Sequence, residues 1–551
     1  MEKADIILKS RAVFTGLDDV PFKGGVAVKG NKILSVFQEE AQSQIIGPET
    51  IVLDYQDQMI MPGFVDAHVH YFLGSIAASD HMCTEIFASS SEADCVSMVQ
   101  RFAQEHPEEK RIIGIGWYPA NWNDAPLPTC KSLDRAIPDK PVYLIAADVH
   151  TFWMNTKALE EAGITGNEKL ESGAIGKFED GSLNGLLFEP DAFGPAMDKV
   201  MDLPADQKKD VQKDFFHKIN SCGVTSVSEM SADRICETSK ANYQAIRDLE
   251  ETGELSIRLH IYPALGTIPE YEDAKQLRRE FDTEKIKISG LKQFIDGVTS
   301  TYTGYLLEPY ADSPETRGVP LYSKKVYEDC VARANRDGFG VRFHAIGDAA
   351  VRMALDAFEA SNEQNNNIGN HKGIKNVIEH CETIHPDDLP RFASLGVVAS
   401  MQPYHLVQDF NEKIVRLGTA RSRYEWAHRS LLDHGAKLAF GTDYPVVDFN
   451  PFPSIYTAIS RCDDDGNPSG INPEEAITLP EALKAYTIGG AYVYDRENEI
   501  GTLEAGKLAD IVVIDKNLFQ IGINEIKDCK VELTMMDGRI VYERKHENDE
   551  Q

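Results

Sequence analysis

The chain has 551 residues, with 88 Asp and Glu against 56 Lys and Arg, a formal net charge of −32. At roughly 150 residues per domain, this length allows two to four domains or one large barrel with additions. Ordinary hydrophobic (42%) and charged (26%) shares exclude global disorder, and the acid excess excludes nucleic acid or an anionic membrane as the main partner.

The opening segment reads as short strands. Ile6–Phe14, Val26–Phe37 and Ile51–Tyr55 are β-rich and broken by Gly24-Gly25 and Gly30-Asn31. Ala509–Ile514 and Val531–Tyr542 repeat the pattern near the other end, the latter turning at Asp537-Gly538. Residues 1–58 and 500–551 are therefore expected to form a composite β-sandwich built from both chain ends.

Between them, apolar strands alternate with helical stretches, the pattern of a parallel sheet covered by helices. Met59–His70 supplies a first strand. Val224–Glu229, Ser256–Pro263, Ile286–Asp296, Gly340–Ile346, Asn376–His380, Val397–Gln402 and Ala436–Asp443 supply seven more. Eight such strands predict a (β/α)8 TIM barrel over residues 59–499. Residues 71–203 then form an insertion after strand one, with β-like pieces at Arg111–Trp117 and Pro141–Ala147 and a hairpin around Asp180-Gly181. A structureless loop of that length is improbable, so a subdomain is expected. Asn362–Asn370 and Cys462–Gly470 read as polar loops, and Glu547–Gln551 as a frayed acidic tail.

Nine cysteines scattered from Cys83 to Cys529, without a CxxC pair, read as reduced intracellular thiols. Neither a signal peptide nor a run of about eighteen apolar residues is evident, which makes the cytoplasm the expected compartment.

The strongest local signal is Pro62-Gly63-Phe64-Val65-Asp66-Ala67-His68-Val69-His70. Residues two apart on a strand share a face, so His68 and His70 can converge on one metal ion from a strand end. Later strands place Lys292, His344, His380 and Asp443 at or near the ends that build a barrel mouth. Four imidazoles, one carboxylate and one lysine can assemble a two-metal centre there. An ammonium would repel two cations. Lys292 is thus either a CO2-derived carbamate whose two oxygens bridge the metals, or an unmodified lysine paired with an acid. Substrate contacts are expected from Trp117 and Trp122, which with Tyr118 read as either a pocket lid or a subdomain core, and from His150, Asn155 and His405. The remaining histidines read as surface or packing residues.

This set resembles the amidohydrolase superfamily, and within it the N-substituted formamide deformylase-like branch of metal-dependent hydrolases. The likeness extends through Asp148-Val149-His150-Thr151-Phe152-Trp153-Met154-Asn155, Gly185-Leu186-Leu187-Phe188-Glu189, Glu379-His380, Gly441-Thr442-Asp443-Tyr444-Pro445 and Gly501-Thr502-Leu503-Glu504-Ala505-Gly506. It implies hydrolysis of a carbon–nitrogen, non-peptide bond in a small amide or N-formyl or N-acyl amine by a metal-bridging hydroxide. His68, His70 and Asp443 would hold one ion and His344 and His380 the other, with carboxylated Lys292 between. Asp443 would take the proton of the attacking water and deliver it to the leaving nitrogen. Two divalent ions are implied, zinc first, with manganese, iron and cobalt as alternatives. A homodimer is one open assembly. Where relatives often carry a Gly/Ser-rich, arginine-containing loop, this chain has Val298-Thr299-Ser300-Thr301-Tyr302-Thr303-Gly304-Tyr305. Two other readings stand beside the main one: a mononuclear aminohydrolase of a cyclic amidine, which has no need of Lys292, and a non-catalytic barrel kept as scaffold or regulator.

Overall fold

The computed structural model describes residues 2–39, 43–122, 126–170, 173–230, 237–266, 269–366, 373–468 and 472–545. The ends of the two polar loops (from residues 367 and 469), His371, His546 and the acidic tail lie outside them.

Eight parallel strands form the barrel: β1 (Phe64–Val69), β2 (Val224–Glu229), β3 (Arg258–Ile261), β4 (Ile286–Ile288 continuing as Gly290–Phe294), β5 (Gly340–Ala345), β6 (Val377–His380), β7 (Val398–Met401) and β8 (Lys437–Phe440). The run expected as strand four is interrupted at Ser289, and its two halves pair with β3 and β5 respectively. Two further contacts close the ring. Lys292 N donates to Pro263 O at 2.9 Å, and Asp443 N donates to His68 O at 2.7 Å. Most barrel strands are buried on both faces, which explains their near-continuous apolar runs. Helices cover the outside through apolar stripes at helical spacing, as in Lys324–Arg336, which buries Tyr327, Cys330, Val331 and Ala334.

The first strand is shorter than expected. Met59–Pro62 pairs with Ile511–Ile514 in another sheet, and only Phe64–Val69 enters the barrel. Gly63 makes the crossing, because a Cβ there would come within 2.5 Å of the Thr225 side chain. That other sheet has eight strands, from Ile6–Val13 to Ile51–Asp54 at the N-terminal end, Met59–Pro62, and three strands within Ile511–Glu543. Arg258 of β3, fully buried, ties it to the barrel by donating from Nε to Asp510 at 2.7 Å.

Between β1 and β2 lies a separate six-stranded sheet, in spatial order Ala174–Lys177, Leu183–Phe188, Thr151–Met154, Val142–Ala146, Ile112–Trp117 and Cys83–Glu85. Ala174–Lys177 and Leu183–Phe188 pair antiparallel as the hairpin around Asp180-Gly181. Among the described residues every cysteine is a free thiol, and no helix is long and apolar enough to cross a membrane.

Candidate metal centre

Barrel strand ends bring His68, His380 and Asp443 together, with one potential ligand atom of each within 4.8 Å of the others. His68 Nε2 and His70 Nε2 lie 3.3 and 3.0 Å from Asp443 Oδ1, and His380 Nδ1 lies 3.9 Å from Oδ2. His344 joins them, its ring centroid 4.4 Å from that of His380. The backbone pays for this convergence: His380, Cys381 and Asp443 have φ of 70°, 48° and 62°, a region that non-glycine residues seldom occupy.

Partners behind two of the rings decide which nitrogen faces inward. Glu379 Oε2 lies 2.7 Å from His68 Nδ1, so Nδ1 carries the proton and Nε2 turns its lone pair toward Asp443. Gly297 O lies 3.2 Å from His344 Nε2 and leaves Nδ1 of that ring for the centre. Burial holds His68 down to about 4 and His344 and His380 well below the ordinary histidine value, so all three are neutral and able to coordinate. Burial also works against ionisation of Asp443, but the surrounding histidines, with His70 as hydrogen-bond donor, outweigh it and hold the carboxyl well below the usual range.

The fully buried Arg342 supports Glu379 from beneath. It donates to the other Glu379 oxygen, to Ser228 Oγ at 2.9 Å and to Ala67 O at 2.6 Å. Burial opposes the Glu379 charge, yet Arg342 and His68 pull its pKa far down. Asp66 braces the other side of β1, accepting from His68 N at 3.1 Å and Thr442 Oγ1 at 2.6 Å.

Lys292 is 1% exposed, and its Nζ has no hydrogen-bond partner among the described residues. Burial pushes its pKa down to about 8. His380 Nδ1 is likewise buried without a hydrogen-bond partner among the described residues. Neutral imidazoles, one carboxylate and orphaned polar atoms aimed at one space fit a bound divalent cation, whose bonds of about 2 Å would satisfy them.

Of the expected substrate contacts, His150 reaches the mouth. Its ring lies 5.6 Å from that of His344, and Nδ1 lies 2.7 Å from Glu189 Oε2. Although burial works against it, Glu189 with Asp148 raises this imidazole to about 9. His405 Nε2 lies 3.9 Å from Asp443 Oδ2. Trp117, Trp122 and Asn155 do not contribute in this way. The two indoles pack in the core of the six-stranded sheet and donate to Leu144 O and Ser89 O. Asn155 is fully buried and spends its amide on four backbone groups, capping the helix Thr156–Ala162. Their polar atoms are committed to scaffold, and for Trp117 and Trp122 this matches the subdomain-core alternative.

The loop at Val298–Tyr305 is fastened from both sides. Asp296 accepts from Tyr305 N at 2.8 Å and Gly347 N at 2.9 Å, and Arg416 donates to Ser300 O and the Tyr302 hydroxyl. Sequence reasoning passed over Glu379, Arg342, Asp66 and Glu189 as site residues. Two of them were within reach, because Asp66 and Arg342 stand two positions before His68 and His344 and share their strand faces.

Residues 52–542 match the model of the Amidohydrolase family. The chain is 28% identical over 545 residues to Protein LONG AFTER FAR-RED 3 of Arabidopsis thaliana, covering 98% of this chain and 92% of that one. It is 25% identical over 539 residues to the N-substituted formamide deformylase of Arthrobacter pascens, covering 94% and 95%. A crystal structure of a metal-dependent hydrolase from Pyrococcus furiosus superposes with a TM-score of 0.72 at 25% identity, covering 92% of this chain and 98% of that one. With this match over nearly its whole length, the chain belongs to the amidohydrolase family, metal-dependent hydrolases of carbon–nitrogen bonds.

Proposed function

We propose that this enzyme hydrolyses the amide bond of a small N-formyl or N-acyl amine, using two divalent ions at the barrel mouth. His68, His70 and Asp443 would hold one and His344 and His380 the other, with Lys292 as a carbamate supplying the anionic group between them. The donor set suits zinc, with manganese, iron or cobalt able to replace it. The observation that carries the reading is the convergence of His68, His380 and Asp443, with the His68 tautomer fixed by Glu379.

When bound, the metals lower the pKa of water and polarise the scissile carbonyl. The remaining work falls to the chain. Asp443, ionised and held by the rings around it, accepts the proton of the attacking water and passes it to the leaving nitrogen, which departs poorly unless protonated. Lys292, low in pKa and unpartnered, supplies a neutral amine that attacks CO2 and releases one proton, giving an anion where an ammonium would repel the metals. His150, oriented by Glu189 as an Nδ1–H donor, would offer its other nitrogen to the substrate.

The decisive experiment is elemental analysis beside an activity screen of N-formyl amines, N-acyl amines and simple amides. Two metal equivalents per chain, lost together in Lys292→Ala, are expected. One equivalent that survives this change would replace the reading with a mononuclear aminohydrolase. An intact two-metal site inert toward the whole panel would leave the scaffold reading.

A further inference from the structure

A second row of buried polar groups leads away from Asp443. Its Oδ2 lies 3.9 Å from His405 Nε2, and His405 Nδ1 lies 3.8 Å from Glu382 Oε1. The other Glu382 oxygen pairs with Lys413 Nζ, which lies 3.8 Å from Glu425 Oε2. No side chain in this row is more than 7% exposed. His405 and Lys413 share one face of the helix His405–Leu417, eight residues apart. Glu382 lies just past β6, and its carbonyl accepts from Trp426 N at 2.8 Å. The Trp426 ring lies 5.4 Å from the Lys413 ammonium.

His380, Glu382 and His405 also bring ligand atoms within 4.8 Å of one another, which on distance alone describes another cation site. Lys413 argues against it. Its ammonium is already bonded to the Glu382 carboxylate, and a divalent ion there would face that fixed positive charge in a dry interior. The protein has supplied its own cation, and the row is organised around it.

We propose that His405 is a positioning residue for Asp443, held by the Lys413–Glu382 ion pair, and that it fixes the angle at which the second Asp443 oxygen meets the reacting groups. This rests on the reading of Asp443 as metal ligand and proton carrier. Asp443 Oδ1 faces His68 and His70 while Oδ2 faces His380 and His405, so Oδ2 is the oxygen assigned the proton and needs a defined direction. The 3.9 Å separation is longer than a hydrogen bond, so the positioning role requires it to tighten once the site is loaded.

The test uses the full-length protein loaded with Co2+, whose visible bands report ligand geometry without any substrate. In His405→Gln the protein keeps two cobalt equivalents and its unfolding temperature while the bands shift. On an amide that the parent protein hydrolyses, kcat falls roughly ten- to a hundredfold with KM little changed. Lys413→Met alone strands a buried carboxylate, so the pair is probed with Glu382→Gln/Lys413→Met, which removes both charges together. The same band shift is expected. Unchanged bands and turnover in both variants overturn the proposal. So does loss of one cobalt equivalent in His405→Gln, which would make His405 a ligand. Failure of the hydrolase reading looks different: no amide is turned over by the parent protein, and the cobalt bands alone then decide the role of His405.

Discussion

The carboxylate of Glu379 lies 2.7 Å from His68 Nδ1 and takes its other hydrogen bond from Arg342, so one buried acid serves both the candidate metal centre and the barrel core. Replacing it separates these roles. Glu379→Gln leaves Arg342 a buried cation without its counter-charge, a loss of about 3–5 kcal/mol in stability. It also releases the His68 tautomer, and metal affinity falls about ten- to a hundredfold. Denaturant unfolding and metal titration read the two effects. In Glu379→Gln/Arg342→Met the stability returns in part while the metal affinity does not. Recovery of both would mean that Glu379 acts only as the partner of Arg342.

Lys292 gives a prediction about assembly of the site. Carbamate formation needs the unprotonated amine, and burial brings this lysine to about 8, where a substantial fraction is neutral. Metal-stripped protein given zinc is therefore expected to recover activity faster with added bicarbonate and, at equal dissolved CO2, faster at pH 8 than at pH 6.5. Recovery indifferent to bicarbonate would leave Lys292 as a plain amine.

The buried histidines make the metal-free protein acid-sensitive. His68 is held at about 4 in the folded state against about 6.5 unfolded, so between these values the unfolded chain binds the extra proton and stability falls as pH falls. Its full contribution is present above about 6.5, and about 2 kcal/mol is lost between pH 7 and pH 5. His344 and His380 are shifted in the same direction and add to the loss. His150, raised to about 9, has the opposite sign and returns about 1 kcal/mol over that interval. Unfolding of metal-stripped protein at pH 7, 6 and 5 measures the sum, and a flat profile would contradict neutral burial of these rings.

The barrel and its histidines were legible in the sequence because strand periodicity does two jobs. It marks His68 and His70 as one face, and strand ends place His344, His380 and Asp443 together. The same rule applied backwards along the strands would have exposed Arg342 and Asp66, whose buried charge demands partners. Gly63 was harder to see. Nothing in Met59–His70 says that its first four residues pair with Ile511–Ile514, since strand partners some 450 positions apart leave no local trace. Trp117 and Trp122 read ambiguously for a related reason. An aromatic loop reads alike whether its indole N–H faces a ligand or a backbone carbonyl, and here Leu144 O and Ser89 O take those bonds.

His150 and Asn155 stand five residues apart in one motif and should fail in opposite ways. Asn155 Oδ1 accepts from Val142 N and Ala158 N at 3.0 and 2.9 Å, and Nδ2 donates to Ile137 O and Lys140 O at 3.1 and 2.9 Å. Alanine removes a helix cap worth about 1 kcal/mol and strands buried backbone groups at about 1–3 kcal/mol each, so Asn155→Ala lowers the unfolding midpoint sharply. Whatever stays folded binds metal and substrate normally. His150→Gln keeps a donor for Glu189 but removes the positive charge paired with it, so stability falls by about 1–3 kcal/mol while the core stays packed. On the proposed reading, in which His150 faces substrate, its kcat/KM falls on the order of tenfold while the metal content of the parent protein is retained. Measuring unfolding, metal content and kcat/KM on both variants decides the assignment: a stable Asn155→Ala with poor KM, or a His150→Gln that only unfolds, would exchange their roles.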